Sequence, residues 1–173
     1  EIPVFVSSGM SNYNELDKAF TILSENKRQV YPMQCTSKYP TKPKDWGLEN
    51  ISIMKNRYST KIGFSDHSGE IFSSLAAVSL GAEIIETHLV FNKECFGPDT
   101  SSSVSLDDMK MLVKGIRVIK ESINSSYDKD IYNKQIVNMK KLFEKKLVAR
   151  KNIKKYEKFN SENIIGKKGC ETG

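Results

Sequence analysis

KIGFSDHSGEIFSSLAAVSLGAEIIETHLVFNKECFGPD, residues 61–99, contains both histidines of the 173-residue chain, His67 and His88. Lys61–Phe64 and Glu83–Thr87 are short runs with large apolar residues and read as buried strands. Between them, Glu70–Leu80 places Ile71, Leu75 and Val78 at helical spacing, and Gly81 supplies the stop. Each strand closes on a histidine beside a carboxylate. That layout predicts a parallel pair joined by a helix, with a site at the carboxyl ends of its strands.

The same alternation continues upstream. Residues 3–7 form an apolar strand, and Asn14 is a candidate cap for a helix carrying Leu16, Ala19, Phe20 and Leu23 up to a stop at Asn26-Lys27-Arg28. Val30–Thr36 is the next strand, Ser37–Pro43 a Lys- and Pro-rich loop, and Leu48, Ile51 and Met54 mark a short helix ending near Arg57. Downstream, residues 92–103 read as a loop. Ser105 with Asp108 forms a capping box for a helix reaching Ile123. Four successive βα units predict an α/β fold with a parallel, helix-covered sheet, half of an eight-stranded barrel. Polar groups gather where the strands end, at Ser7, Cys35-Thr36-Ser37, Ser65-Asp66-His67 and Glu86-Thr87-His88. The chain opens inside an apolar run without Met and is expected to be part of a longer protein.

Residues 124–146 read as a linker with a short helix around Ile136, Met139 and Phe143. A second module is expected over 147–173, with a strand at Leu147–Arg150 and a helix cap with its first turn at Asn160–Ile164. Residues 131–173 hold 12 Lys/Arg against 4 Asp/Glu, a net of +8, which leaves 15 against 17 before them. Because apolar residues interleave with these lysines, a solvated face of a folded module is favoured over a nucleic-acid surface. Cys35, Cys95 and Cys170 lack paired spacing, so a reducing, cytoplasmic setting is expected. No apolar run approaches the ~18 residues of a membrane span, and no signal-peptide pattern opens the chain.

Two imidazoles with Asp66, Glu86 and Asp99 nearby suit a divalent ion such as Mn²⁺ acting as a Lewis acid. Alternatively, each histidine merely ends a strand in a hydrogen bond. Ser7, Ser8, Thr36, Ser37 and Ser65 could offer hydroxyls and loop amides to a phosphate, or could be ordinary turn residues.

VSSGM (6–10), QCTSKYP (34–40), IGFSDHSG (62–69), AAVSLGAEIIETH (76–88) and FGPD (96–99) together resemble the sialic acid synthase family. Its members condense phosphoenolpyruvate with an N-acetylated aminosugar and release phosphate. The segment from Leu147 is similar to the opening of the small antifreeze-like (SAF) domain of that family. The resemblance implies the carboxyl-terminal half of a TIM (β/α)8 barrel over 1–123 and a truncated SAF domain over 147–173. It places metal ligation, by Mn²⁺ foremost with Mg²⁺ or Co²⁺ as alternatives, on His67 and His88. Glu86 falls on an active-site glutamate, and Asp99 on the aspartate that contacts the sugar. Ser7 and Ser65 fall on phosphoenolpyruvate contacts, Tyr39 on a tyrosine lining the site, and Thr36 and Ser37 on the substrate loop. Ser37-Lys38 stands where many members carry an Asn, and Leu89-Val90 follows the second histidine in place of Phe-Thr. Further implications are a homodimer, no membrane or nucleic-acid partner, and inactivity of this stretch alone. The substrate is expected to be of the N-acetylmannosamine type. A di-N-acetylated 6-deoxy sugar, as in legionaminate and pseudaminate synthases, is the alternative. A non-catalytic relative binding a polyanion through its basic tail is a third reading.

Overall fold

The computed structural model describes residues 2–26, 28–128, 130–131 and 134–168. The chain divides into two compact units, Glu1–Ser125 and Ser126–Gly173. The first runs β1 (Val4–Ser7), α1 (Tyr13–Glu25), β2 (Val30–Cys35), a 3-10 turn at Pro43–Asp45, α2 (Glu49–Tyr58), β3 (Gly63–Asp66), α3 (Phe72–Ser79) and β4 (Ile84–Leu89). A second 3-10 turn (Thr100–Ser102), β5 (Ser103–Val104) and α4 (Leu106–Asn124) complete it. The five strands form one sheet in sequence order, parallel throughout. The expected βα alternation is therefore present, with one strand more than the sequence reading held.

Register sorts the side chains into two faces. Cys35 pairs with Ser65, Ser65 with Glu86, and His88 with Ser103, so these residues share one face. Val6, Phe64 and Ile85 lie on the other, packed with Leu16, Ile51, Met54 and Ala77 of the helices and Ala82 of the turn after α3. Ile51 and Met54 are almost fully buried, and burial of each such side chain stabilises the fold by about 1.5–3 kcal/mol. The first face is open: Phe5, Met33 and Ile84 line a hollow with Met109, Leu112 and Ile116 of α4. Gly115 lets α4 approach α3, since a Cβ there would stand 2.7 Å from Leu75 Cδ2.

Several boundaries differ from expectation, each for a local reason. Asn12, not Asn14, caps α1, because its side chain accepts from Glu15 N (3.1 Å) while Glu15 accepts from Asn12 N (2.9 Å). β3 occupies Gly63–Asp66 rather than Lys61–Phe64; its polar Ser65 and Asp66 are buried because each finds a partner, Glu86 for one and the serines of α3 for the other. Helix α3 starts at Phe72 rather than Glu70, whose amide instead donates to Ser68 Oγ in the preceding turn. β4 continues to Leu89, so His88 lies within the strand, because β5 offers a ladder partner within the expected 92–103 loop. The capping box of Ser105 and Asp108 is as expected.

The second unit contains α5 (Lys134–Phe143) and the antiparallel pair β6 (Lys145–Ala149) and β7 (Ile164–Lys168). Asn160–Ile164 leads into a strand, not the expected helix. Asn160 Oδ1 accepts from the amides of Glu162 and Asn163, which closes a turn, and Ile164-Ile165 then pairs with Val148-Ala149. Asn163 is fully buried; its amide donates to Lys158 O (2.9 Å) and Glu157 Oε1 (3.2 Å). Lys27, part of the expected stop of α1, and Cys170 lie outside the described residues.

Candidate functional site

The loop between β2 and the first 3-10 turn folds back onto His67. Thr36 Oγ1 donates to Asp45 O (2.7 Å), Thr41 Oγ1 donates to Lys38 O (2.8 Å), and Thr41 N donates to His67 O (2.9 Å). Lys38 pairs with Asp45 at 3.0 Å. So held, the loop presents a carbonyl and a phenol to the imidazole. His67 Nδ1 lies 3.0 Å from Thr36 O. A carbonyl oxygen can only accept, so Nδ1 carries the proton and the lone pair of the neutral ring sits on Nε2. Tyr39 stacks on His67 with ring centroids 4.2 Å apart and brings its hydroxyl to 3.3 Å from Nε2. The buried thiol of Cys35 stands 3.9 Å from Nδ1.

His88 is delivered by β4. Its ring is 5.2 Å from that of His67 and 5.9 Å, edge on, from Tyr39. Asp99, from the Gly-Pro-Asp turn, brings Oδ2 to 4.0 Å from His88 Nδ1. Ser103 Oγ donates to the backbone carbonyl of Asp99 (2.7 Å), which ties that turn to β5. One strand position before Thr87, Glu86 accepts from Ser65 Oγ at 2.7 Å. Desolvation by burial, followed by the charges that Cys35, Asp99 and Glu86 carry when ionised, pushes the Tyr39 phenol up from its ordinary value.

The structure thus brings together His67, His88, Tyr39, Asp99 and the Thr36 carbonyl, with the Ser65–Glu86 pair on the same face of the sheet. Ser7 and Ser37 lie elsewhere, both beside Gly9 near the ends of β1 and β2: a Cβ on Gly9 would lie 2.9 Å from Ser37 Oγ and 3.8 Å from Ser7 Oγ. Ser8, read as a possible phosphate contact, is a buried latch whose Oγ accepts from Cys35 N at 3.0 Å. The Thr36 hydroxyl is committed to Asp45 O, leaving its carbonyl as the group that faces the site.

Asp66 does not join the histidines as expected. It shares the helix-side face with Phe64, and its carboxylate accepts from Ser68 N (2.8 Å), Ser74 Oγ (2.7 Å) and Ser73 Oγ. Strand alternation turns consecutive residues to opposite faces. Among the described residues, no preformed group of three or more His, Cys, Asp and Glu side chains converges on one point. The two imidazoles are the preformed part. With Nδ1 of His67 held by the Thr36 carbonyl, Nε2 is the nitrogen that could take a divalent ion, as in ligating histidines whose other ring nitrogen is hydrogen-bonded. The Thr36 carbonyl and the Thr41 amide escaped sequence reading because backbone groups leave no residue-type signal. Ser73 and Ser74 did leave one, a hydroxyl pair opening the helix that follows an aspartate.

Comparison with known proteins places these residues in context. Residues 1–128 match the model of the NeuB family. The N,N'-diacetyllegionaminic acid synthase of Campylobacter jejuni is 35% identical over 95% of this chain and 50% of its own length. The pseudaminic acid synthase of the same species is 33% identical over 94% of this chain and 47% of its own. Among solved structures, the N-acetylneuraminic acid (sialic acid) synthetase from Leptospira borgpetersenii, in complex with citrate, superposes with a TM-score of 0.72 at 28% identity, covering 82% of this chain and 50% of that one. The chain spans about half the length of the curated relatives it matches.

Proposed function

The chain belongs to the NeuB family, and on that premise we propose that it carries the metal-binding and aldehyde-handling part of a phosphoenolpyruvate-dependent sugar-acid synthase. The observation that carries the reading is the pair His67 and His88, 5.2 Å apart at the carboxyl ends of adjacent parallel strands, with Asp99 4.0 Å from His88. In this reading the first unit is the carboxyl-terminal half of a (β/α)8 barrel. Its sequential parallel order and the helical packing against the Phe64 face support that assignment. Residues 147–173, within the second unit, are read as the truncated beginning of a SAF domain. The whole protein acts in the cytoplasm as a homodimer.

His67 and His88 would hold Mn²⁺, or Mg²⁺ or Co²⁺, and such an ion supplies Lewis-acid polarisation of a carbonyl oxygen. The remaining chemistry belongs to side chains and substrates. C3 of phosphoenolpyruvate attacks the aldehyde carbon of an open-chain N-acetylated aminosugar, water adds at C2, and the tetrahedral carbon collapses with C–O cleavage to release phosphate. Glu86, oriented by Ser65, accepts a proton from that water; Asp99 contacts the sugar; Tyr39 lines the pocket. Ser7 and Ser37, both beside Gly9, and Ser65 serve phosphoenolpyruvate, and Thr36 shapes the loop around it.

The sugar is N-acetylmannosamine or a di-N-acetylated 6-deoxy sugar. Synthases of both product types are among the similar proteins, so the two are supported alike. Equilibrium titration of the 173-residue chain with Mn²⁺ tests the centre. His88→Ala should weaken binding at least about 10-fold, since losing even an outer-shell partner of a ligand costs that much, and unchanged affinity removes the assignment. Turnover with each sugar class, followed by phosphate release from the full-length enzyme, separates the two substrates.

A further inference from the structure

We propose that the Tyr39 hydroxyl is a placeholder for the metal: it occupies the lone pair of His67 Nε2 in the metal-free site and is displaced when an ion binds. The inference rests on the metal-binding reading above and adds a residue that sets the affinity of that centre from outside the ligand set.

Three observations carry it. First, Nδ1 of His67 donates to Thr36 O at 3.0 Å, so Nε2 is the only nitrogen of the neutral ring with a lone pair to give. Secondly, the Tyr39 hydroxyl stands 3.3 Å from that nitrogen, and a phenol O–H facing a ring lone pair donates to it. One lone pair cannot serve a phenolic proton and a metal ion together. Thirdly, Tyr39 is free to leave: the residue is 51% exposed and its ring lies against His67 and His88 rather than in the apolar core.

The loop makes the placement reproducible. Thr41 fixes the segment from both sides, through its amide on His67 O and its hydroxyl on Lys38 O, so the phenol returns over the same nitrogen whenever the ion departs. The consequence is a pre-aimed His67 that does not rotate away while vacant. The opposing cost is one neutral hydrogen bond broken on each binding event.

The test compares Mn²⁺ affinity of wild-type chain and Tyr39→Phe, which keeps the stacked ring and deletes only the hydroxyl. Binding should tighten about 2- to 10-fold, the worth of one neutral hydrogen bond expressed as an affinity ratio. With just two histidines in the chain, imidazole ¹⁵N spectra without metal give a second readout. The Nε2 resonance of His67 should shift in Tyr39→Phe and the His88 resonances should move far less. Unchanged or weakened Mn²⁺ binding in Tyr39→Phe, with wild-type binding lost on His67→Ala, overturns the placeholder role alone. Absence of Mn²⁺ binding by the wild-type chain, or its persistence in His67→Ala, overturns the metal reading and the placeholder with it.

Discussion

Replacing Asp66 by Ala should destabilise the first unit by about 2–5 kcal/mol. The carboxylate is 1% exposed and is the acceptor for Ser68 N, Ser73 Oγ and Ser74 Oγ. Each buried donor left without an acceptor costs about 1–3 kcal/mol. The three do not add in full: Ser73 Oγ also lies 2.9 Å from Ser68 Oγ and can turn to it, and the Ser68 amide is only part-buried, so water can reach it. Ser74, fully buried, has neither escape. Asp66→Asn restores one acceptor oxygen but opposes its NH₂ to a donor, so an intermediate loss is expected. Urea denaturation followed by the fluorescence of Trp46, the single tryptophan of the chain and packed against the first unit's core, reads the change as a lower midpoint at constant slope. A loss below about 1 kcal/mol for Asp66→Ala would refute the argument, since it would mean that the serine hydroxyls do not depend on this acceptor.

Two further perturbations test other parts of the fold. Arg57 and Tyr58 both donate to Asp17 and hold its carboxyl down at about 2, so the contribution of this group is complete above its ordinary value of 3.8 and is lost as pH falls through about 2. Asp17→Asn should accordingly flatten the acid limb of the stability profile between those values, and an unchanged limb in urea midpoints taken across that window speaks against the linkage. Gly69 has φ +73°, and a Cβ there would overlap the backbone carbonyl of Ser101. Gly69→Ala should cost more than about 1–2 kcal/mol, the price of the left-handed conformation alone, and a thermal midpoint equal to wild type would contradict the close approach of the β3–α3 turn to the second 3-10 turn.

The legible parts of the fold were those with a repeating signal. Helix α4 announced itself through its capping box and the run of Leu106, Met109, Leu112 and Ile116, and its observed ends fall within a residue of that reading. β5 is two residues long, too short to carry any period, and exists because β4 offers a free ladder edge at His88 and Leu89. Asn14 and Asn12 are equal candidates by residue type; the choice is made by Glu15, which can return a bond only to Asn12. In the second unit, Asn160-Ser161-Glu162-Asn163 has the composition of a helix cap. Its polar side chains instead close a turn, and the pair Ile164-Ile165 favours the extended chain that β6 can accept.

For the site, the decisive information is the parity of positions along a strand. His67 and Asp66 are neighbours in sequence and both beside a strand end, yet one serves the open face and the other anchors α3. Counting by two from Glu86 puts His88 on its own face, and the register then adds Ser65 opposite Glu86. Pairing Cys35 with Ser65 extends the same row to β2, which is why the thiol, the Ser65 hydroxyl and the Glu86 carboxylate lie side by side across three strands. A one-residue slip of β3 against β4 would send Ser65 to the helical layer and leave Glu86 without its donor. The buried Phe64, on the alternate position of β3, resists that slip because it would be exposed to the open face. The apolar packing of one face therefore fixes the polar geometry of the other, and that coupling is what lets a short, partly exposed strand such as β4 hold Glu86 and His88 in place.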